Sequence, residues 1–242
     1  MIIKNPYFLF IVFFFYGSIL FGYLLSKIFY KEDVRKYGDG NPGTWNAFKV
    51  GGAKIGIPTL IWDYSKGLLP VLVSKRLYGD KIFFFTLVSI APILGHNFSP
   101  FLKFKGGKGI ASSFGLWTGI TLWQGPTIMG FSALFSCSLQ NNSAICSIIS
   151  FISLLIYLLF TNYEKGILIL FALNLIVVFI KLRKDLFIKP KFGLRNPFKG
   201  WNFFDISINI KFFFKTLPWH ISNFSINFSL HKGPIMKCSN WP

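Results

Sequence analysis

Residues 7–28 read YFLFIVFFFYGSILFGYLLSKI, a run with no charge before Lys27. Its length and apolarity match the roughly 20 residues with which a helix crosses a hydrocarbon core. The run is continuous rather than alternating, which favours a helix over a barrel strand. Lys4 precedes it as in a signal peptide, but no small-x-small cleavage site ends it, so it reads as a retained span. Six more apolar stretches follow, at Ile55 to Ser74, Ile82 to Phe98, Gly109 to Thr121, Gln124 to Leu139, Ala144 to Phe160 and Gly166 to Ile180. Several are shorter than a full span and must tilt, borrow flanking residues or sit as half-helices inside a bundle. The 242 residues are 52% hydrophobic and 19% aromatic with a mean hydropathy of +0.52, which excludes an ordinary soluble domain. The predicted fold is all-α: a polytopic membrane helix bundle with seven transmembrane segments over residues 1–185, followed by a basic, aromatic-rich tail over 186–242.

Charge orients this bundle. The formal net charge is +18. In a soluble protein that would suggest nucleic acid; here the positive-inside rule applies first, and no nucleic-acid partner is expected. With seven spans, the segments Phe29 to Lys54, Ser99 to Lys108 and everything after Ile180 share one side and hold nineteen Lys or Arg. The other side holds five: Lys4, Lys75, Arg76, Lys81 and Lys165. The predicted topology therefore puts the amino terminus outside and the carboxyl terminus in the cytoplasm. In the tail, Ile206, Ile208, Ile210 and Phe212 alternate with polar residues among many Lys, Phe and Trp, which reads as a surface attached to anionic membrane lipid. Cys137, Cys146 and Cys238 have neither metal-ligand nor redox spacing and read as structural thiols. No metal site and no cofactor are expected.

Two loops on the basic side carry the chemistry. The first runs from Asp33 to Asn46, with Gly38, Gly40 and Gly43 allowing tight turns that expose amide N–H groups. These glycines satisfy G-x-G-x-x-G, but the loop follows a membrane helix and no βαβ unit surrounds it, so it is not read as a dinucleotide site. The second runs from Gly95-His96 to Lys105-Gly106-Gly107-Lys108-Gly109 and opens the next helix. Amides, helix dipole and ammonium groups converge there, as an anion requires. Gly109 stands where a Walker A loop needs Ser or Thr, which argues against nucleotide hydrolysis. The plain alternative is a flexible basic loop against lipid headgroups. Within the second span Asp63 and Lys66 share a helical face, either as functional groups or as a salt bridge that positions the bundle, and Pro58 and Pro70 predict local distortion of that helix.

Taken together, Gly17-Ser18 through Leu24, the Arg35 to Asn46 loop, Asp63-Tyr64-Ser65-Lys66-Gly67 and the Gly95 to Gly109 block resemble, in order and approximate spacing, the bacterial acyl-phosphate-dependent glycerol-3-phosphate acyltransferases. The resemblance implies an inner-membrane enzyme with its site loops facing the cytoplasm. It would transfer a fatty acyl group from acyl phosphate to the 1-hydroxyl of glycerol 3-phosphate for phospholipid synthesis, downstream of an enzyme that makes acyl phosphate. It also implies that Arg35, Asn41, Asn46, Lys105 and Lys108 hold the phosphates, assisted by the amides of Gly40, Gly43, Gly106, Gly107 and Gly109, with Ser18, Lys66, His96 and Ser112 as further candidates. His96, Lys108 and Asn41 are the expected catalytic group, His96 being either a general base or a structural histidine at a helix end. The other large acyltransferase class uses His-x-x-x-x-Asp, and none of His96, His220 or His231 is followed by Asp at that distance.

The match has two departures. Asp39 stands where the family loop has serine, and Thr44-Trp45 where it has Ala-Thr. A carboxylate beside a phosphate site is repulsive, so either Asp39 points away and pairs with Lys36, or the chain is a divergent branch. Leu182-Arg183-Lys184-Asp185 occupies the place where the family commonly has His and Asn followed by Arg, which puts the last helix's share of the site in doubt, and Asn162 and Glu164 map to no family position. Competing readings are a transporter or channel for a phosphorylated or anionic solute, a scaffold protein, and an inactive paralogue; the two halves show no inverted repeat of the kind that favours transport.

Overall fold

The computed structural model describes residues 4–194. The expectations for the tail beyond Leu194, including the Ile206 to Phe212 alternation and Cys238, lie outside the described residues. Eight α-helices follow one another: α1 Pro6–Ser18, α2 Phe21–Tyr30, α3 Thr44–Tyr78, α4 Ile82–Asn97, α5 Ile110–Thr121, α6 Gln124–Leu139, α7 Ser143–Phe160 and α8 Lys165–Leu186. Two 3-10 turns, Val34–Lys36 and Pro100–Leu102, sit in the loops, and the described residues contain no β-strand. Four stretches are long and apolar enough to cross a membrane by themselves: Pro6–Tyr30, Ile82–Leu102, Ser143–Phe160 and Lys165–Leu186. The lipid face is legible on α7. Ile152, Ile156 and Leu159 are exposed at helical spacing, while Phe151, Leu154 and Leu158 on the other side are buried.

The first predicted span is broken. Ile19 and Leu20 are extended, separating α1 from α2, and the hydroxyl of Ser99 donates to the freed carbonyl of Ser18 at 2.7 Å. The distortion expected at Pro58 and Pro70 lies elsewhere: the non-helical residues within α3 are Gly51 and Gly52, and Gly52, at φ 56° and ψ −146°, occupies a conformation open only to glycine.

Helices meet backbone to backbone. A Cβ at Gly67 of α3 would collide with the Ser112 carbonyl and the Leu116 nitrogen of α5, and one at Gly115 of α5 would collide with the Tyr64 carbonyl of α3. Gly17 of α1 lies against Pro92 of α4, and Gly95 of α4 against Phe14 of α1, in the same reciprocal way. Small residues at crossing points allow the van der Waals contact that associates helices in lipid. Side-chain hydrogen bonds add to it: Tyr64 to Thr118 at 2.6 Å, Ser74 to Ser89 at 2.7 Å, and Trp117 Nε1 to Asn174 Oδ1 at 3.0 Å, with Asn174 donating onward to Ser113.

The cysteine reading is corrected for one pair. Cys137 and Cys146 form a disulfide, because the turn between α6 and α7 folds residues nine apart in sequence to a Cα separation of 5.7 Å. Asn142 in the same turn donates to the carbonyls of Asp185 and Ile188, both at 2.8 Å, and so clamps the end of α8.

Candidate functional site

The two glycine-rich loops and the end of α8 converge on Lys108. Its ammonium lies 2.6 Å from Asp39 of the first loop and 2.7 Å from Asp185 of α8. The chain has only eight acidic residues, and two of them meet on this one lysine. Asp39 therefore points into the site and pairs with Lys108, not with Lys36 as the sequence reading allowed. It also accepts from the Asn41 amide at 3.2 Å and from Asn46 Nδ2 at 2.8 Å. Burial works against its charge, but Lys108 and these donors outweigh that and hold its carboxyl below the usual carboxylate range. Burial likewise opposes the charge on Lys108, and the two carboxylates overcome it and raise its pKa. With the Asp39 pKa lowered and the Lys108 pKa raised, the bridge stays charged at neutral pH. It is lost as pH falls through the lowered carboxylate value or rises through the raised lysine value.

Behind Lys108, α5 begins at Ile110 with Gly109 at its N-cap in the left-handed region, φ 74°, and no side chain caps the first turn. Uncapped amides beside an ammonium form a site for an anion. Asn97 fixes this corner: Nδ2 donates to the Val177 carbonyl at 3.3 Å and to the Lys108 carbonyl at 3.5 Å. Gly106 and Gly107 do different work from that expected. The Gly107 amide donates to the His96 carbonyl at 3.0 Å, and a Cβ at either glycine would collide with His96. In this arrangement Gly106 and Gly107 seat the loop on His96, and the Gly107 amide is not free for phosphate.

The other sequence candidates are only partly brought together. Asn46 is buried, with Nδ2 held by Asp39 and the Asn41 carbonyl, and its Oδ1 meets no donor among the described residues. Asn41 faces Gly43, and Gly40 lies beside the Arg35 carbonyl. The Arg35 fork is turned to Asp33, at 2.7 and 3.0 Å, with its guanidinium 4.9 Å from the centre of the Tyr23 ring. The bond to Asp33 raises the Arg35 pKa and lowers that of Asp33. Lys105 is exposed and forms no ion pair among the described residues. The Ser18 hydroxyl donates back to the Phe14 carbonyl at 2.8 Å, as helix-end serines do. Ser112, in the first turn of α5, is wholly buried and its hydroxyl has no partner among the described residues. Asp63, Lys66 and His96 form one buried cluster, with Lys66 Nζ 2.8 Å from Asp63 and 3.4 Å from His96 Nδ1.

Three residues escaped the sequence reading as site members. In the sequence Asp185 stands only as a departure from the family block. Lys181, one turn earlier on α8, donates to the Phe104 carbonyl at 3.3 Å and lies 4.6 Å over the Phe98 ring. Asn97 lies between the two ends of the second loop's block, where the sequence assigns it no role. Scarcity was the available signal for Asp185: an acid beside a membrane span in so basic a chain needs a cation. Asn162 and Glu164, which had no assignment, lie in the α7–α8 turn at the opposite end of α8 from Asp185.

A family model described as glycerol-3-phosphate acyltransferase matches residues 7–187. Glycerol-3-phosphate acyltransferase 1 of Thermotoga maritima is 37% identical over 194 residues, covering 74% of this chain and 95% of that protein. The glycerol-3-phosphate acyltransferase of Pelagibacter ubique is 37% identical over 171 residues, 70% of this chain and 85% of the relative. The crystal structure of PlsY, an integral membrane glycerol 3-phosphate acyltransferase, in its glycerol 3-phosphate form superposes with a TM-score of 0.69 at 26% identity, covering 75% of this chain and 90% of that one. Its lysophosphatidic acid form gives 0.68. The helical bundle, the convergent basic loops and a family match over most of its length together mean that the chain belongs to the glycerol-3-phosphate acyltransferase family, and it is an integral membrane enzyme.

Proposed function

We propose that this chain transfers a fatty acyl group from acyl phosphate to the 1-hydroxyl of glycerol 3-phosphate. The observation that carries the reading is the Lys108 ammonium beside the uncapped start of α5, in a family whose relatives are named for glycerol 3-phosphate. The hydroxyl oxygen bonds to the acyl carbon, the carbon–oxygen bond to phosphate breaks, and the hydroxyl proton leaves on the phosphate, giving lysophosphatidic acid and inorganic phosphate. The donor is already activated, so the protein's work is positioning and offsetting charge, with no nucleophilic triad. Lys108, the α5 amides, Asn41 and Asn46 serve the phosphates, with Arg35 and Lys105 at the rim. An apolar groove of about 410 Å³ between α7 and α8, lined by Ile148, Leu175, Ile176, Phe179, Ile180 and Leu186, suits the acyl tail.

The charge asymmetry supports seven crossings with the amino terminus outside and the Lys108 face in the cytoplasm of a bacterial inner membrane, where an upstream enzyme delivers acyl phosphate. Phosphate release by the purified protein from palmitoyl phosphate should require glycerol 3-phosphate and yield lysophosphatidic acid. Acceptor-independent release, or none from a folded preparation, would remove this reading.

Asp39 and Asp185 occupy the ammonium that a substrate phosphate needs, so they compete with it. The Asp39→Ser variant should lower KM for glycerol 3-phosphate several-fold and change kcat less, because one competing carboxylate is gone while the Asn46 and Lys108 donors stay. Initial rates against acceptor concentration decide this; a higher KM in the variant would show that Asp39 assists binding.

A further inference from the structure

We infer that Lys66 holds His96 as a neutral imidazole whose single ring proton sits on Nε2, facing the Gly106 to Lys108 loop, so that His96 is a hydrogen-bond donor to substrate oxygen and not a general base. The role at the substrate rests on the reading of that loop as the site; the protonation state does not.

The Lys66 ammonium has three hydrogens and no lone pair. One hydrogen points to Asp63 Oδ1 at 2.8 Å, and His96 Nδ1 lies 3.4 Å from the same nitrogen. An N–H at Nδ1 would set donor against donor, whereas a bare Nδ1 accepts from Lys66. The rival arrangement, Nδ1–H donating to Asp63 Oδ1 at 3.5 Å, is of similar length, but it would share an oxygen that already takes the 2.8 Å bond from Lys66 and leave an ammonium hydrogen facing an N–H.

Charge leads to the same state. Lys66, Asp63 and His96 side chains are 0%, 3% and 4% exposed, so a charge there needs a partner. The single carboxylate already pairs with Lys66. The charged groups facing the imidazole are Asp63 and Lys66 from α3 and Lys181 from α8, while α1 and α5 carry no charged residue and the second loop carries only lysines. An imidazolium would be a third cation against one anion.

The other ring nitrogen lies against the Gly106 to Lys108 loop. A Cβ added at Gly107 would collide with Nε2, and the Gly107 amide is bonded to the His96 carbonyl, so the loop rests on this edge of the ring. A neutral Nε2–H there can donate to an oxygen on which negative charge develops, at the acyl carbonyl or the departing phosphate. Lys66 is then a positioning residue, acting through His96.

Nitrogen-15 NMR of the full-length, histidine-labelled protein in detergent tests the protonation state, with His96 assigned by its loss in His96→Gln. The expected spectrum has the proton on Nε2 and no titration between about pH 5 and 8. A proton on Nδ1, or an imidazolium appearing in that range, overturns the proposal, and the state itself is read on the wild-type chain, the variant serving only to assign the signal. In Lys66→Met, His96 should acquire a titration in the same range; an unchanged ring would remove the role of Lys66. For the donor role, His96→Gln should lower kcat on the order of 10²-fold with little change in KM. Wild-type turnover in His96→Gln would remove that role with the reaction intact, whereas absence of reaction in the wild-type chain overturns the functional reading and leaves the spectrum standing.

Discussion

Replacing Lys108 with alanine is expected to lower kcat/KM for phosphate-dependent acyl transfer by on the order of 10²- to 10³-fold, the range seen when one preorganised charge-stabilising donor is lost. Two effects combine. The ammonium that serves the phosphate is removed, and Asp39 and Asp185, which it bridges at 2.6 and 2.7 Å, are left facing each other without a counter-charge. Repulsion between them should part the first loop from the end of α8. The double variant Lys108→Ala, Asp39→Asn separates the contributions: it relieves the repulsion without returning the ammonium, so it should recover loop order but little rate. Asn41→Ala, which changes the residue facing Gly43 in the first loop, should also lower turnover with membrane insertion intact. The measurement is phosphate release in detergent, with elution volume on size exclusion as the check on folding. A Lys108→Ala enzyme within about threefold of wild type would move the phosphate site elsewhere.

The largest structural effect is expected from Gly67→Ala. The new methyl group would meet the Ser112 carbonyl and the Leu116 nitrogen, both backbone atoms of α5, so no side chain can swing aside. Overpacking of a tight contact costs about 1–3 kcal/mol, against a gain of up to about 1 kcal/mol from replacing glycine in a helix. The net loss should fall toward the upper end, because separating α3 from α5 also strains the Tyr64 to Thr118 bond and disturbs the start of α5 next to Lys108. The expected result is a lowered thermal midpoint and reduced activity even in the fraction that folds. Gly130→Ala on α6 is the control: its added methyl group would meet only Phe114 Cε1 at 3.8 Å, an ordinary contact, so its midpoint should match wild type or exceed it. Equal midpoints for the two variants would mean that α3 and α5 do not meet as described.

The chain itself carried the fold class. Lipid as solvent demands long uncharged runs with satisfied backbones, and that demand is visible residue by residue from Tyr7 onward. Five predicted stretches, those from Ile82, Gly109, Gln124, Ala144 and Gly166, coincide with α4 to α8 within one residue at each end, except that α8 runs on past Ile180 to Leu186. The kink in α3 was misplaced, because proline advertises its constraint in any sequence, whereas Gly51-Gly52 breaks the helix only by reaching a conformation such as that of Gly52, φ 56°. The cysteine pair was misread because a nine-residue spacing says nothing until a hairpin closes it.

For the site, sequence alone determined the chemistry of the two loops: glycines that leave room, lysines that bring charge, and the order of blocks that places the chain in its family. Only the tertiary structure decided how those groups are joined. It put Asp39 and Asp185 on the same ammonium, turned the Gly107 amide onto His96, and set Lys66 between Asp63 and His96 inside the bundle. The division has a physical cause. Hydrophobic run length and backbone freedom are local properties, written in neighbouring residues. The partner of a charge is settled by whichever opposite charge the folded helices bring within about 4 Å, and between Asp39, Lys108 and Asp185 the chain runs through most of its length.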